Sequence, residues 1–187
     1  MVENFATNHL TIRKLQMTDF DDYYRLISYP EVAAGTGFSL IGNQKMIEEA
    51  VKGQLQAPRS FGLYLADQLI GAVLFFTAIG EDHLPDPFRV EMSYFLEPTY
   101  WHQGLMTEAL TEILAQLPTQ ITVTAAAFSD NLASIALLKK LDFKQETQIH
   151  DPFPDGISCC LFQVKLDNRF KICHFRRIAL HFLQFKS

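Results

Sequence analysis

Residues 97–110 read Glu97-Pro98-Thr99-Tyr100-Trp101-His102-Gln103-Gly104-Leu105-Met106-Thr107-Glu108-Ala109-Leu110, and the fold turns on how this stretch is parsed. Upstream, residues 89–96 are a short, largely apolar run that Pro98 closes, which predicts a strand. Downstream, Leu105, Ala109, Leu110, Ile113 and Leu117 recur at helical spacing until Pro118, which predicts a helix over 104–117. Between them lies a short loop with one glycine. A helix that starts this way presents unpaired amides, here those of Leu105, Met106 and Thr107, and the positive end of its dipole to an anion. Gly104 lets the backbone approach that anion with no Cβ in the way. The same residues also suit an ordinary strand-to-helix turn, so spacing alone leaves both readings open.

Working outward, Leu10-Thr11-Ile12-Arg13-Lys14-Leu15 alternates as a half-buried strand. Thr18 is placed to cap a helix that runs to about Ser28 and stops before Pro30. Gly35, Gly37 and Gly42 mark a loop, after which Asn43 caps a second helix to about Ala57. Residues 60–66 and 69–78 form a hairpin about Asp67-Gln68, and 80–87 read as an exposed acidic loop. The β-branched run 120–126 predicts a strand. Asp130 or Asn131 opens a helix with Ile135, Leu138 and Leu141 on its apolar face. Two final strands, 144–149 and 157–166, flank a turn rich in proline and aspartate. The expected order is β-α-α-β-β-β-α-β-α-β-β, a mixed α/β domain over 1–167. Residues 168–187 differ: they carry Arg169, Lys171, Arg176, Arg177 and Lys186 without an acidic residue, and predict an appended helix that packs on this domain or on a second subunit.

A chain of 187 residues is long enough to bury one self-sufficient core. Sixteen Lys and Arg against 21 Asp and Glu leave a formal charge of −5, which argues against nucleic acid as the main partner. No apolar run approaches the length of a membrane span, and residues 1–8 lack the apolar block of a secretory leader. Cys159 and Cys160 are adjacent and Cys173 is the third, which fits unpaired thiols in a reducing cytoplasm. No Cys-x-x-Cys or clustered histidine pattern suggests a metal.

The stretch 100–109 resembles the pyrophosphate loop of the GCN5-related N-acetyltransferase superfamily, and within it the branch that includes the ribosomal-protein N-acetyltransferases. Tyr100, Trp101, Gln103, Gly104, Met106, Thr107, Glu108 and Ala109 match that branch's pattern in place; His102 stands where glycine is usual. A second segment, 131–143, resembles the family's Asn-x-x-Ser-x-x-Leu-Leu-x-Lys-x-Gly-Phe through Asn131, Ser134, Leu137, Leu138, Lys140 and Phe143. Asp142 replaces the closing glycine.

The resemblance implies acetyl-coenzyme A as cosubstrate, an amine as acceptor and direct transfer without an acyl-enzyme. It also implies a largely antiparallel sheet in which strand 89–96 bulges and splays from strand 120–127. The pantetheine arm then lies in the gap against backbone groups near Phe95 and Leu96. The diphosphate lies on Trp101 to Thr107, and Asn131, Ser134 and Lys140 face the cofactor. Glu91, an acid in an apolar strand, is the expected base, with partial burial raising its pKa. The family's usual acid, a tyrosine, has its place at Leu138, so Ser134, Tyr94 or solvent is left to supply the proton. Acceptors expected from the branch are protein N-terminal amines. Polyamines, aminoglycosides and a coenzyme-A-binding module with little catalytic activity are the alternatives, and a homodimer is left open.

Overall fold

In the computed structural model, residues 4–36, 43–80, 82–150 and 158–166 are described. The basic tail and the 151–157 turn fall outside them. Eight strands make one sheet in the order β1-β2-β3-β4-β5-β6-β8-β7: β1 Asn4–Ala6, β2 Thr11–Lys14, β3 Ser60–Leu65, β4 Gln68–Ile79, β5 Pro85–Leu96, β6 Thr122–Phe128, β7 Lys144–His150 and β8 Ser158–Lys165. Every neighbouring pair is antiparallel except β5 and β6, the expected parallel pair.

Helices cover both faces. On one, Leu26 of α1 (Phe20–Ile27), Val32 of α2 (Pro30–Thr36) and Val51 and Leu55 of α3 (Gln44–Gln56) pack with Leu74 and Phe95. On the other, Leu110 and Ile113 of α4 (Leu105–Gln116) and Leu138 of α5 (Leu132–Lys140) pack with Val73, Met92, Val123 and Phe162. The alternation along β5 follows from its pleat: Val90, Met92 and Leu96 face α4 and α5, while Phe95 faces α1 to α3.

Several boundaries differ from those expected. β1 is only three residues, too short to show a period, yet it pairs in register with β2. Pro30 does not merely end α1; it opens α2, the position where its missing N–H and fixed φ suit a helix start. The turn before α1 is 3-10 over Met17–Asp19, and Thr18 is not its cap. Asp19 there is held by Arg13 through two hydrogen bonds of 3.0 and 2.7 Å. The β3–β4 turn is Ala66 and Asp67, both at positive φ (46° and 68°), as a two-residue hairpin loop requires. β5 starts at Pro85, inside the expected loop. The bulge expected within 89–96 is absent: the β4–β5 register is unbroken from Thr77↔Val90 to Gly71↔Leu96 and shifts only between Thr77 and Ile79.

The end of β5 is tied to α1 by charge. Glu97 is buried, accepts a 2.8 Å hydrogen bond from Arg25 and a 3.0 Å bond from Thr99, and Arg25 also donates to the carbonyl of Leu69 at 3.1 Å. Burial alone would raise the Glu97 pKa, but the hydrogen bonds from Arg25 and Thr99 outweigh it and hold the carboxyl below its ordinary value. A depressed folded pKa stabilises the native state above the unfolded carboxylate's pKa, and that stability is lost as pH falls through the folded value. Arg25 is 37% exposed, so solvent screens the pair in part. Glu97→Gln is expected to cost about 2 kcal/mol at pH 7. In urea melts the gap to wild type should narrow below about pH 4, the ordinary glutamate range; a gap that is independent of pH would exclude the charge as its origin.

Candidate active site

Sheet pairing between β5 and β6 stops early. Its register comprises Arg89↔Thr122, Val90↔Val123 and Glu91↔Thr124, with Thr124 Oγ1 donating to the Val90 carbonyl at 3.2 Å. Beyond that row β6 follows β8 up to Phe128↔Cys159, and β5 follows β4 to Leu96. The two strands therefore diverge and leave a V-shaped gap in the sheet.

The hydrogen bond from Glu97 N–H to the Ile70 carbonyl sets the phase of the β4–β5 ladder. Alternation then turns the peptide groups of Phe95 and Ser93 toward β4, and those of Tyr94 and Leu96 toward the gap. Of the expected pair, Leu96 thus faces the opening. Phe95 contributes its ring to the wall, while its backbone belongs to the ladder, and Tyr94 takes its place. The Leu96 carbonyl is held by Trp101, whose indole N–H donates to it at 2.7 Å.

A cavity of about 710 Å³ occupies the gap and is lined by residues from both faces of the sheet. On the α4 and α5 face it is lined by Trp101, His102, Gly104, Asn131, Ser134 and Lys140; on the other by Glu31 and Val32 of α2 and by Glu91. Phe95, Leu96, Leu105, Met106 and Thr107 also line it, so among the expected cofactor residues only Gln103 does not. That side chain folds back to donate to the Thr99 carbonyl at 3.0 Å.

The loop geometry suits an anion. Gly104 is the N-cap of α4 at φ +79° and has no side chain to satisfy the first-turn amides; its carbonyl accepts from Glu108 N–H at 3.0 Å. A Cβ built on Gly104 would meet no protein atom within 4 Å, so the space beside it is open. His102, where relatives of the pattern carry glycine, adopts the glycine conformation at φ 59°. The backbone path is kept, at a cost of about 1–2 kcal/mol for a left-handed residue with a Cβ.

α5 is set by its own ends. Asn131 caps it by accepting from Ser134 N–H at 3.0 Å. At its far end Asp142 (φ 62°) takes the left-handed place of glycine, with Asp142 N–H bonded to Lys139 and Phe143 N–H to Leu138, both at 3.1 Å. Ser134, so positioned, shares a 2.7 Å hydrogen bond with the Tyr94 hydroxyl across the gap. Burial pushes the Tyr94 phenol up to about 12, with the serine bond opposing weakly. Leu138 lies in the core at 0% exposure, so no proton donor stands at the family's usual place.

Glu91 lines the cavity but is exposed, contrary to the expected partial burial; alternation puts it on the α2 face beside solvent. Cys159 and Cys160 are buried as thiols. The residues that sequence reading missed are those of α2, hidden because Pro30 was read as a terminator only. Among the described residues no group of His, Cys, Asp and Glu could hold a metal ion, and no helix is long and apolar enough to cross a membrane.

Three comparisons bear on this geometry. A curated Bacillus subtilis (strain 168) protein described as an uncharacterized N-acetyltransferase, YoaA, is 26% identical over 153 residues, covering 75% of this chain and 82% of its own. The structure of an acetyl transferase from Salmonella typhimurium, described as modifying the N-terminal serine of ribosomal protein L7/L12, superposes with a TM-score of 0.70 at 15% identity, over 86% of this chain and 97% of that one. RimL, a ribosomal L7/L12 alpha-N-protein acetyltransferase solved with coenzyme A, superposes with a TM-score of 0.71 at 16% identity, over 88% and 99%. The family model for the GNAT acetyltransferase domain matches residues 9–144, so the chain belongs to the GNAT family and is an acetyl-coenzyme A-dependent N-acetyltransferase.

Proposed function

We propose that the acceptor is the N-terminal amine of a polypeptide, acetylated by direct attack within the β5–β6 gap. The observation that carries this reading is a cavity lined from both faces of the sheet, with the first turn of α4 on one side and the carboxylates of Glu31 and Glu91 on the other. A donor thioester and an extended chain end can then meet in the gap from opposite sides. RimL and the Salmonella typhimurium acetyl transferase, both described as acting on the N-terminus of a ribosomal protein, support the same assignment by likeness of fold.

Acetyl-coenzyme A supplies the acetyl group as an activated thioester; the remaining work falls to the chain. The first-turn amides of α4 receive the diphosphate, and His102 and Lys140 add donors near it. The gap-facing N–H groups of Tyr94 and Leu96 hold the arm and polarise the carbonyl oxygen. Glu91, at the opposite mouth, accepts the proton the amine loses as its nitrogen bonds to the carbonyl carbon. The Tyr94 hydroxyl, oriented by Ser134, returns a proton to the sulfur as the carbon–sulfur bond breaks. A phenol held near 12 stays protonated throughout the working range, which suits it to give a proton rather than take one.

The anion seat is tested through shape. Gly104→Val places a β-branched residue at φ +79° and a side chain in the open space, and coenzyme A affinity by calorimetry should fall at least about tenfold, or about 1.4 kcal/mol. His102→Gly removes left-handed strain and should leave the protein as stable or up to about 1 kcal/mol more stable. Unchanged affinity in a folded Gly104→Val would remove the diphosphate from this loop.

For the acid, Tyr94→Phe deletes one oxygen from a half-buried ring. The turnover number should drop about 10²-fold with little change in the KM for acetyl-coenzyme A. Equal turnover by the variant would leave solvent as the proton source.

For the base, Glu91→Gln keeps size and hydrogen bonding but removes the charge. The turnover number should fall by about 10²-fold and the acidic limb of the rate profile should disappear. A profile that keeps this limb at wild-type rate would exclude Glu91.

A further inference from the structure

The basic and acidic side chains lining the cavity are segregated by the sheet. His102 and Lys140 lie on the α4 and α5 side, whereas Glu31 and Glu91 lie on the α2 side. The lining also includes the apolar side chains of Met92, Leu96, Ala126 and Phe128. This polarity matches a cosubstrate that is anionic at one end, but it supplies one carboxylate more than the reaction needs at the other.

The carboxylates that hold the fold are easily recognised. Asp19 and Glu97 are buried and paired with Arg13 and Arg25, and Glu108 holds the backbone and ring of His9. Glu31 and Glu91 differ: both are exposed at the mouth, and neither has an ion pair or side-chain hydrogen bond with any described residue. Among the described residues, then, neither carboxylate is committed to holding the fold.

An amine attacks only as the neutral base, so the reacting nitrogen itself cannot keep a favourable charge interaction with both carboxylates. If Glu91 receives its proton, Glu31 has no cation to face unless the acceptor carries another. We propose that Glu31 selects acceptors with a second, permanent positive charge close to the reacting amine, such as a peptide whose second residue is lysine or arginine. This rests on the acetyl-transfer reading above and narrows its substrate class. Glu31 contacts the acceptor away from the reacting atoms, so it acts on binding in the ground and transition states alike.

The test uses the full-length protein and two acceptor panels. One is a set of short peptides alike except for Lys, Gln or Glu at the second residue; the other pairs an alkyl monoamine with a diamine of similar length. In whichever panel is acetylated, kcat/KM should favour the doubly charged acceptor. Glu31→Gln should reduce that preference about fivefold, through KM rather than kcat. Salt should erode the wild-type preference as the mouth is screened, and Glu31→Asp should restore part of it. A preference for the diamine with no turnover of any peptide would sink the N-terminal reading and uphold the charge rule. Peptide turnover that ignores the second residue, or a preference that Glu31→Gln leaves intact, would overturn the charge rule and spare the N-terminal reading. Turnover of neither panel would overturn both.

Discussion

A sheet can admit a substrate through its middle only where two neighbouring strands stop sharing hydrogen bonds, and here that happens between β5 and β6. Each strand keeps a full partner on its other side, β4 for one and β8 for the other, so neither is destabilised by the parting. The unpaired peptide groups would be costly in an apolar interior. In this fold they face a cavity, where the proposed mechanism has them bond an extended arm. The fault in the ladder and the proposed binding site are one feature seen from two sides.

Keeping the gap open falls to contacts at its rim. Arg25 and Glu97 anchor the end of β5 to α1, and the Trp101 indole donates to the Leu96 carbonyl, so loop and strand end are tied together. Glu108, in the first turn of α4, accepts from the His9 amide at 2.9 Å and meets its ring nitrogen at 2.8 Å, which ties the helix to the β1–β2 connection. An acid there also complements the helix dipole. Held at both ends, the loop can keep His102 in a left-handed conformation that an isolated chain would leave. Local strain of this kind persists because the surroundings determine the path.

Much of this was legible in the residues, and what was not has identifiable causes. The long periodic elements were readable because burial imposes their spacing: α4 from Leu105, Ala109, Leu110 and Ile113, and β4 from a nearly unbroken apolar run. Asn131 was readable as a cap and Asp142 as a left-handed helix end, since each side chain has a local reason to be there. β1 and α2 were not, because elements of three and seven residues have no period to show and exist through tertiary contact. The exposure of Glu91 was hidden for another reason. An acid between Val90 and Met92 looks buried in one dimension, while pleating puts alternate residues on opposite faces and only one of those faces is covered at that row. The strand divergence without a bulge was equally beyond local pattern, since it depends on where β6 leaves β5.

In the proposed mechanism the Tyr94–Ser134 contact places the acid on β5 without a change of fold. At Leu138 the side chain sits under α5 in the core, packed with Phe143 through the helix-ending bonds, and a hydroxyl there would need a partner that this core does not offer. A phenol on β5 meets no such demand. Tyr94 lies on the same face as Val90 and Met92, so its ring rests partly on the core while its hydroxyl reaches α5 at the third helical residue, where Ser134 stands. The serine's amide is already fixed by Asn131, so cap, serine and phenol form a chain of hydrogen bonds that begins at the helix end and finishes at the cavity wall. Disturbing Asn131 therefore acts on two levels at once, the stability of α5 and the aim of the phenol. The two can be told apart, because Ser134→Ala leaves the cap amide bonded and removes only the aim.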